Sequence, residues 1–212
     1  AGGFGRPRGE LAALLSDTAR ALAAAVHVPI TGAETTRLTQ VRATSPAAEE
    51  AYLQGRLNLS NYGPGPAERA LKSFQRAFEL DPGFAAAHAG AALAYLRLGG
   101  TNVLTHSDAR QSALAEVRKA MASGVDVAEA HAALGDIQFL YDWDWRGAER
   151  EYRRSLDLNP GFVTARKIFS QMLATRGRFD EAIALSEETL RLDPQSMDGL
   201  IAHGMLLYYK RD

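Results

Sequence analysis

Three prolines stand in nearly the same surroundings: Glu79-Leu80-Asp81-Pro82-Gly83-Phe84, Asp157-Leu158-Asn159-Pro160-Gly161-Phe162 and Arg191-Leu192-Asp193-Pro194. Pro160 and Pro194 are 34 residues apart, and Pro82 precedes Pro160 by 78, which is two such periods with about ten residues to spare. Self-similarity at a fixed period of this size constrains the fold more than any other feature, because it requires a stack of like supersecondary units. An alanine lies twelve residues before each proline: Ala70, Ala148 and Ala182. In the unit between the first two prolines the equivalent segment is Ala113-Leu114-Ala115-Glu116-Val117-Arg118-Lys119-Ala120, and Val125 stands in the proline's place. The surplus residues of that unit are expected in the loop Gly99 to Asp108.

Each unit reads as a pair of helices. Alanine and leucine, both strong helix formers, are abundant. Runs of Val, Ile and Thr at period 2, the mark of strands, are nearly absent. The second helix of each pair carries its inner face at i, i+4 and i+7. That face is Ala70, Phe74, Ala77 in unit one and Ala113, Val117, Ala120 in unit two. It is Ala148, Tyr152, Ser155 in unit three and Ala182, Ser186, Thr189 in unit four. Small residues at the ends of this face let two backbones approach. Each proline follows the helix end, where the helix cannot continue. The first helix of each pair has its own markers: Gly55; Ala92 and Tyr95; Leu134 and Gly135; Phe169 and Ser170; and Gly204 in a fifth unit.

Charge and composition exclude several classes. The 212 residues carry 24 Lys+Arg against 25 Asp+Glu, a formal net charge of −1, so no global cationic excess is available to displace counterions from nucleic acid. With 46% hydrophobic and 23% charged residues the chain is not of the disordered class. It has no cysteine, hence no disulfide, thiolate nucleophile or cysteine-ligated zinc. No apolar run approaches the roughly 20 residues of a membrane helix; the best candidate, Leu22 to Ile30, contains His27 and Pro29. The chain begins at Ala1 and reads as a fragment. Its final segment, from Asp198 to Asp212, fits a first helix lacking its second, apolar on nearly every side. We therefore expect the polypeptide to continue past Asp212 with at least one more helix, and the fragment to self-associate through this exposed C-terminal helix or to fray there.

The period and the small–aromatic–small–proline phase resemble the tetratricopeptide repeat (TPR). The resemblance implies an all-α fold, an α-solenoid of stacked antiparallel helix pairs, over about residues 47–212. The expected units are about 48–84, 85–127, 128–162 and 163–196, with the first helix of a fifth over 197–212. The consensus Trp at the fourth position is absent; His88, His131, Arg166 and Leu200 stand there. Tyr141-Asp142-Trp143-Asp144-Trp145, followed by Gly147-Ala148-Glu149-Arg150-Glu151-Tyr152, resembles a bacterial group in particular. In that group the array follows a TolB-like α/β domain, with a winged-helix, adenylate cyclase or Ser/Thr kinase output module upstream. This implies a non-catalytic sensor or regulatory region of a signalling or transcription-regulatory protein. The alternative it implies is a fragment of a multidomain cyclase or kinase whose catalytic module lies outside the chain. The compartment implied is the cytoplasm, or the periplasm where a membrane helix precedes the fragment.

Ahead of the array, residues 1–8 are Gly/Arg-rich and expected to be frayed. Residues 9–46 read as a leading helix and connector. Leu11, Leu14, Leu15, Ala19, Leu22 and Val26 make one helical stripe that Pro29 stops. The helix is expected to pack on the first repeat, or to dock the missing α/β domain.

No catalytic chemistry is expected. The P-loop, nucleophile-elbow and His-Glu-x-x-His motifs are all absent. Gly63-Pro64-Gly65-Pro66 lacks a preceding strand and a following Lys and reads as a loop insertion. His88 and His131 fall one repeat apart, too far to share a zinc ion, and read as inter-helix packing with the ring's polar tip near solvent. Asp142 and Asp144 read as helix caps and the two tryptophans as filling the gap between units. No cofactor or metal is expected.

The resemblance further implies a ligand groove lined by the second, fifth, ninth, twelfth and thirteenth residues of each unit. These are Glu49, Tyr52, Arg56, Leu59 and Ser60; Ala86, Ala89, Leu93, Leu96 and Arg97; Glu129, Ala132, Asp136, Phe139 and Leu140; Thr164, Lys167, Gln171, Ala174 and Thr175. The expected partner contacts are Tyr52, Arg56, Leu59, Leu93, Leu96, Arg97, Glu129, Asp136, Phe139, Lys167 and Gln171. A groove apolar in its middle with charges of both signs suits an amphipathic helix or an extended segment. The partner is a protein or peptide segment, including a domain of the same polypeptide; neither nucleic acid nor membrane is expected here. The repeat phase makes a direct prediction. Ala148→Leu and Ala182→Leu each lower stability by about 1–3 kcal/mol, because both sites are close helix approaches. An unchanged denaturant midpoint in both variants would mean the phase is wrong.

Overall fold

The computed structural model describes residues 44–61, 64–195 and 197–210. The chain divides into two compact units, Ala1–Pro46 and Ala47–Asp212. The expected frayed start and leading helix lie outside the described residues. The array consists of helices α1 (Pro46–Leu59), α2 (Pro64–Leu80), α3 (Ala85–Gly100), α4 (His106–Ala122), α5 (Ala128–Leu140), α6 (Trp145–Leu158), α7 (Val163–Thr175), α8 (Phe179–Leu192) and α9 (Met197–Tyr209). No strand occurs among the described residues. Short connections force neighbouring helices to run antiparallel. Odd-numbered helices also touch one another: α3 packs on α5, α5 on α7, and α7 on α9. The even-numbered helices make no such contact among the described residues. The odd helices therefore form a continuous inner wall, and the even helices buttress it.

Burial falls on the face read from the sequence. Ala70, Phe74, Ala77, Ala113, Ala120, Ala148, Tyr152, Ser155 and Ala182 are fully buried, and Val117, Ser186 and Thr189 nearly so. The aromatic members explain the small residues opposite them. A Cβ built on Gly55 of α1 would lie 2.6 Å from the Phe74 ring, and one on Gly90 of α3 would lie 2.5 Å from it. The ring is thus held between two helices that offer it bare backbone. Tyr152 repeats the arrangement against Gly135, at 2.9 Å.

Among the described residues the insertions are largely helical. The period places the surplus of unit two between Gly99 and Asp108, but α3 runs to Gly100 and α4 starts at His106. Much of the extra length is helix. The pair α3 and α4 has 16 and 17 residues where α5 and α6 have 13 and 14. Thr105 caps the lengthened α4, its hydroxyl accepting from the Asp108 amide at 3.1 Å. Gly124, with φ +75°, ends it in place of the missing proline. Pro64, Gly65 and Pro66 likewise form the first turn of α2, where a residue without N–H costs nothing.

His88 and His131 tie first helices to second helices. His88 is buried, not tipped toward solvent: Nδ1 lies 2.6 Å from Glu116 Oε2, Nε2 lies 3.2 Å from the Pro82 carbonyl, and the ring stacks on Phe78. His131 sits 2.6 Å from Glu151 and 2.5 Å from Asp126. Glu116 and Glu151 each stand three residues after the inner-face alanine, so the His–Glu pair recurs in two successive units.

In α9, Leu206 is buried, whereas Leu200, Ile201, Met205, Leu207, Tyr208 and Tyr209 are exposed. A Cβ on Gly204 would meet nothing within 4 Å. Two identical substitutions should therefore act with opposite signs. Gly90→Ala overpacks the Phe74 ring and lowers stability by about 1–3 kcal/mol. Gly204→Ala gains only helix propensity, about 0.5–1 kcal/mol. Urea midpoints of the two variants check this.

Candidate functional site

The inner wall encloses a cavity of about 500 Å³. From α1 it takes Tyr52, Arg56 and Leu59, which at spacings of four and three share one helix face. Leu93, Leu96 and Arg97 come from α3, and Glu129, Asp136 and Leu140 from α5. Phe162, Val163, Thr164 and Ile168, around the start of α7, complete it. The lining is largely apolar, with Arg56, Arg97, Glu129 and Asp136 as its charged groups.

Two tyrosines fix the two carboxylates. The Tyr52 hydroxyl donates to Glu129 Oε1 at 3.4 Å, reaching from α1 to α5. The Tyr52 ring packs on Phe74 and Phe84, and the Arg56 guanidinium lies 5.8 Å from its centroid. Burial, then the Glu129 charge, pushes the Tyr52 phenol well above its ordinary value. The Tyr152 hydroxyl, from α6, donates to Asp136 Oδ1 at 2.7 Å. Burial pushes the Asp136 carboxyl up to about 7, against the opposing pull of that hydrogen bond and of Arg97 and Lys167. The same burial lowers Arg97 and Lys167; for Lys167 the nearby Arg97 charge adds to it while Asp136 opposes. Burial and the Asp136 charge also raise Tyr141, at the end of α5. Water exclusion makes this cluster more sensitive to any added charge than a surface cluster would be.

Eight of the eleven expected partner contacts line the cavity: Tyr52, Arg56, Leu59, Leu93, Leu96, Arg97, Glu129 and Asp136; of the other expected groove residues, Ser60, Leu140 and Thr164 do so too. Phe139 does not. It is buried in the cluster of Tyr152, Phe169 and Met172, its ring 5.4 Å from Trp145, while Leu140 beside it lines the cavity as its groove position implies. Lys167 is half-buried beyond the lining, acting on Asp136 through charge, and Gln171 is exposed outside it. Ala89 is sealed against Ala120 and Ala130. Gly161, Phe162 and Val163 join the lining without a sequence signal for it, since the Asn159-Pro160-Gly161-Phe162 turn reads only as a helix stop.

The Asp–Trp turn is also differently used. Asp144 caps α6, its carboxylate accepting from the Gly147 amide at 2.9 Å. Asp142 does not cap; it pairs with Arg110 of α4 at 2.6 Å. Trp145 packs into the core, with Arg176 5.4 Å from its ring, but Trp143 is 68% exposed in a left-handed conformation, φ 57°, and fills no gap. Among the described residues no group of side chains has a metal-binding arrangement, and no helix is long and apolar enough to cross a membrane.

The elevated Asp136 carboxyl has a signed consequence for stability. The folded state holds its proton to about pH 7, while the unfolded chain releases it near the ordinary value of 3.8. Its contribution is fully present below about pH 4 and is lost as the pH rises to about 7, at up to about 1.4 kcal/mol per pH unit. Asp136→Asn has no such slope and keeps an acceptor for Tyr152. The difference in unfolding free energy between wild type and this variant should therefore shift toward the variant from pH 4.5 to pH 7. A constant difference would mean the carboxyl is ordinary.

No family model matches the chain. Human DnaJ homolog subfamily C member 7 (Homo sapiens) is 26% identical over 153 residues, covering 69% of this chain and 30% of that protein. The chain thus spans less than a third of the curated relative's length. Among solved structures, a thermophilic TPR protein of Thermus thermophilus aligns with a TM-score of 0.60 at 19% identity, covering 94% of this chain and 96% of the other. The structure of pilF from Pseudomonas aeruginosa aligns with a TM-score of 0.53 at 22% identity, covering 77% and 71%. At such identities the likeness is one of fold. The array is an all-α solenoid of the tetratricopeptide type.

Proposed function

We propose that the array is a non-catalytic protein-interaction scaffold that holds a peptide segment of a partner in the groove of α1, α3, α5 and α7. One observation carries this reading. Four successive first helices present a single cavity, apolar over most of its lining and edged by charges of both signs. That combination suits a segment with apolar anchors and polar flanks, in helical or extended form. The partner contacts proposed are those that line the cavity, with Lys167 acting on it through Asp136. The segment comes from another protein or from a domain of the same polypeptide.

The wider setting proposed is the regulatory region of a bacterial signalling or transcription-regulatory protein. The support is the Tyr141-to-Trp145 turn and the residues after it. An adenylate cyclase or Ser/Thr kinase module elsewhere in the polypeptide is the second reading, supported by the same segment. Both leave this region without chemistry of its own.

Arg97 and Lys167 are poor first probes, since reversing their charge would place two more carboxylates against the elevated Asp136. Arg56 is better, being exposed and part of the lining. Peptides selected from a displayed random library on the wild-type array should bind Arg56→Glu several-fold more weakly, with helical circular dichroism unchanged. Arg118→Glu, an exposed change on the buttressing helix α4, should leave binding as it was. Equal effects of the two, or a library that yields no binder, would overturn the groove as the binding surface.

A further inference from the structure

The groove holds its two signs of charge in different ways. Its guanidinium groups, Arg56 and Arg97, cannot lose their charge at any attainable pH. The Asp136 carboxylate can. Its charge lies within reach of neutral pH, because burial outweighs the Tyr152 hydrogen bond and the two cations in setting its proton affinity. The groups that act on it come from three neighbouring helices and its own: Arg97 on α3, Tyr152 on α6, Lys167 on α7, and Tyr141 at the end of α5. The other acid, Glu129, accepts the Tyr52 hydroxyl. The groove can thus shed negative charge but not positive charge.

We infer that the segment held in this groove is acidic, that its carboxylate settles beside Arg97 in the place the Asp136 charge serves when the groove is empty, and that Asp136 takes a proton from solvent as it binds. This rests on the groove being the peptide site proposed above. The exchange is balanced: one carboxylate enters, one is neutralised, and the net charge near Arg97 and Lys167 is unchanged. Protonated Asp136 keeps an oxygen to accept from Tyr152 and gains a hydroxyl that can donate to the incoming carboxylate. A basic segment would need the opposite event. It would pair with ionised Asp136, release a proton, and be repelled by Arg56, Arg97 and Lys167. The direction of the proton therefore reports the charge of the occupant.

The test uses two blocked twelve-residue peptides of leucine and serine, one carrying three Glu and the other three Lys. Fluorescence anisotropy at low salt measures binding at pH 6 and pH 8, a range in which neither peptide's side chains titrate. The Glu peptide should bind, up to about tenfold more tightly at pH 6 than at pH 8. Asp136→Asn should flatten that dependence. Calorimetry of the wild type at pH 7, in two buffers of different ionisation heat, should show uptake of up to about half a proton, since Asp136 is already about half protonated there, and it stands even where the variant does not fold. Preference for the Lys peptide, strengthened in Arg56→Glu, would overturn this inference and leave the groove as a peptide site. A Glu peptide that binds with no proton uptake would overturn it too. Binding of neither peptide would overturn it, and the library selection then decides separately whether the groove binds peptides at all.

Discussion

The array depends on aromatic rings pressed against bare backbone. Phe74 leaves α2 and lies between Gly55 and Gly90, so a single side chain fixes the distance between α1 and α2 and between α2 and α3. A methyl group on either glycine would have to displace a ring that is itself fully buried. Tyr152 does the same for α5 and α6 through Gly135, and stacks on Phe169 of the next helix. Dispersion at such contacts is weak per atom and falls steeply with any gap, so close approach is what makes it count. The flanking alanines, fully buried, permit that approach along the helix length.

The groove follows from this spacing. Once each second helix is seated behind its first, only the odd helices touch their own kind across units, and their remaining face is left to line the cavity. Phe74 and Gly90 serve both ends, packing on each other and reaching the lining of the cavity. Tyr152 joins packing and groove from α6. Its ring belongs to the packing and its hydroxyl to the groove, where it reaches Asp136. A fully buried aromatic of the array is thereby part of the charge balance of its surface.

Much of this was legible in the sequence, for physical reasons. Periodicity reports which residues face a neighbour, and Ala70, Phe74 and Ala77 or Ala148, Tyr152 and Ser155 are buried as their spacing requires. Periodicity says less about helix ends. Phe139 and Leu140 are adjacent near the end of α5, and which of them turns inward is decided by Trp145, on another helix. The extra residues of unit two resemble a loop when counted against a fixed period. Helical continuation satisfies their backbone groups internally, and α3 and α4 simply lengthen. The pairing of Asp136 with Tyr152, sixteen residues apart on adjacent helices, has no signature in either residue's surroundings.

The contact of Gly90 with Phe74 also bears on how such an array can be cut and recombined. Gly90 belongs to the first helix of one pair and Phe74 to the second helix of the pair before it. A block excised at the repeat boundary, ahead of Ala85, would carry Phe74 away with one of its two glycine walls missing. The His88–Glu116 pair, by contrast, lies within one pair of helices and would travel intact. The transferable piece is therefore not the two-helix repeat that the sequence displays. It is an odd number of helices that begins and ends with a first helix, and grafts joined on any other plan inherit an unmatched ring at the seam.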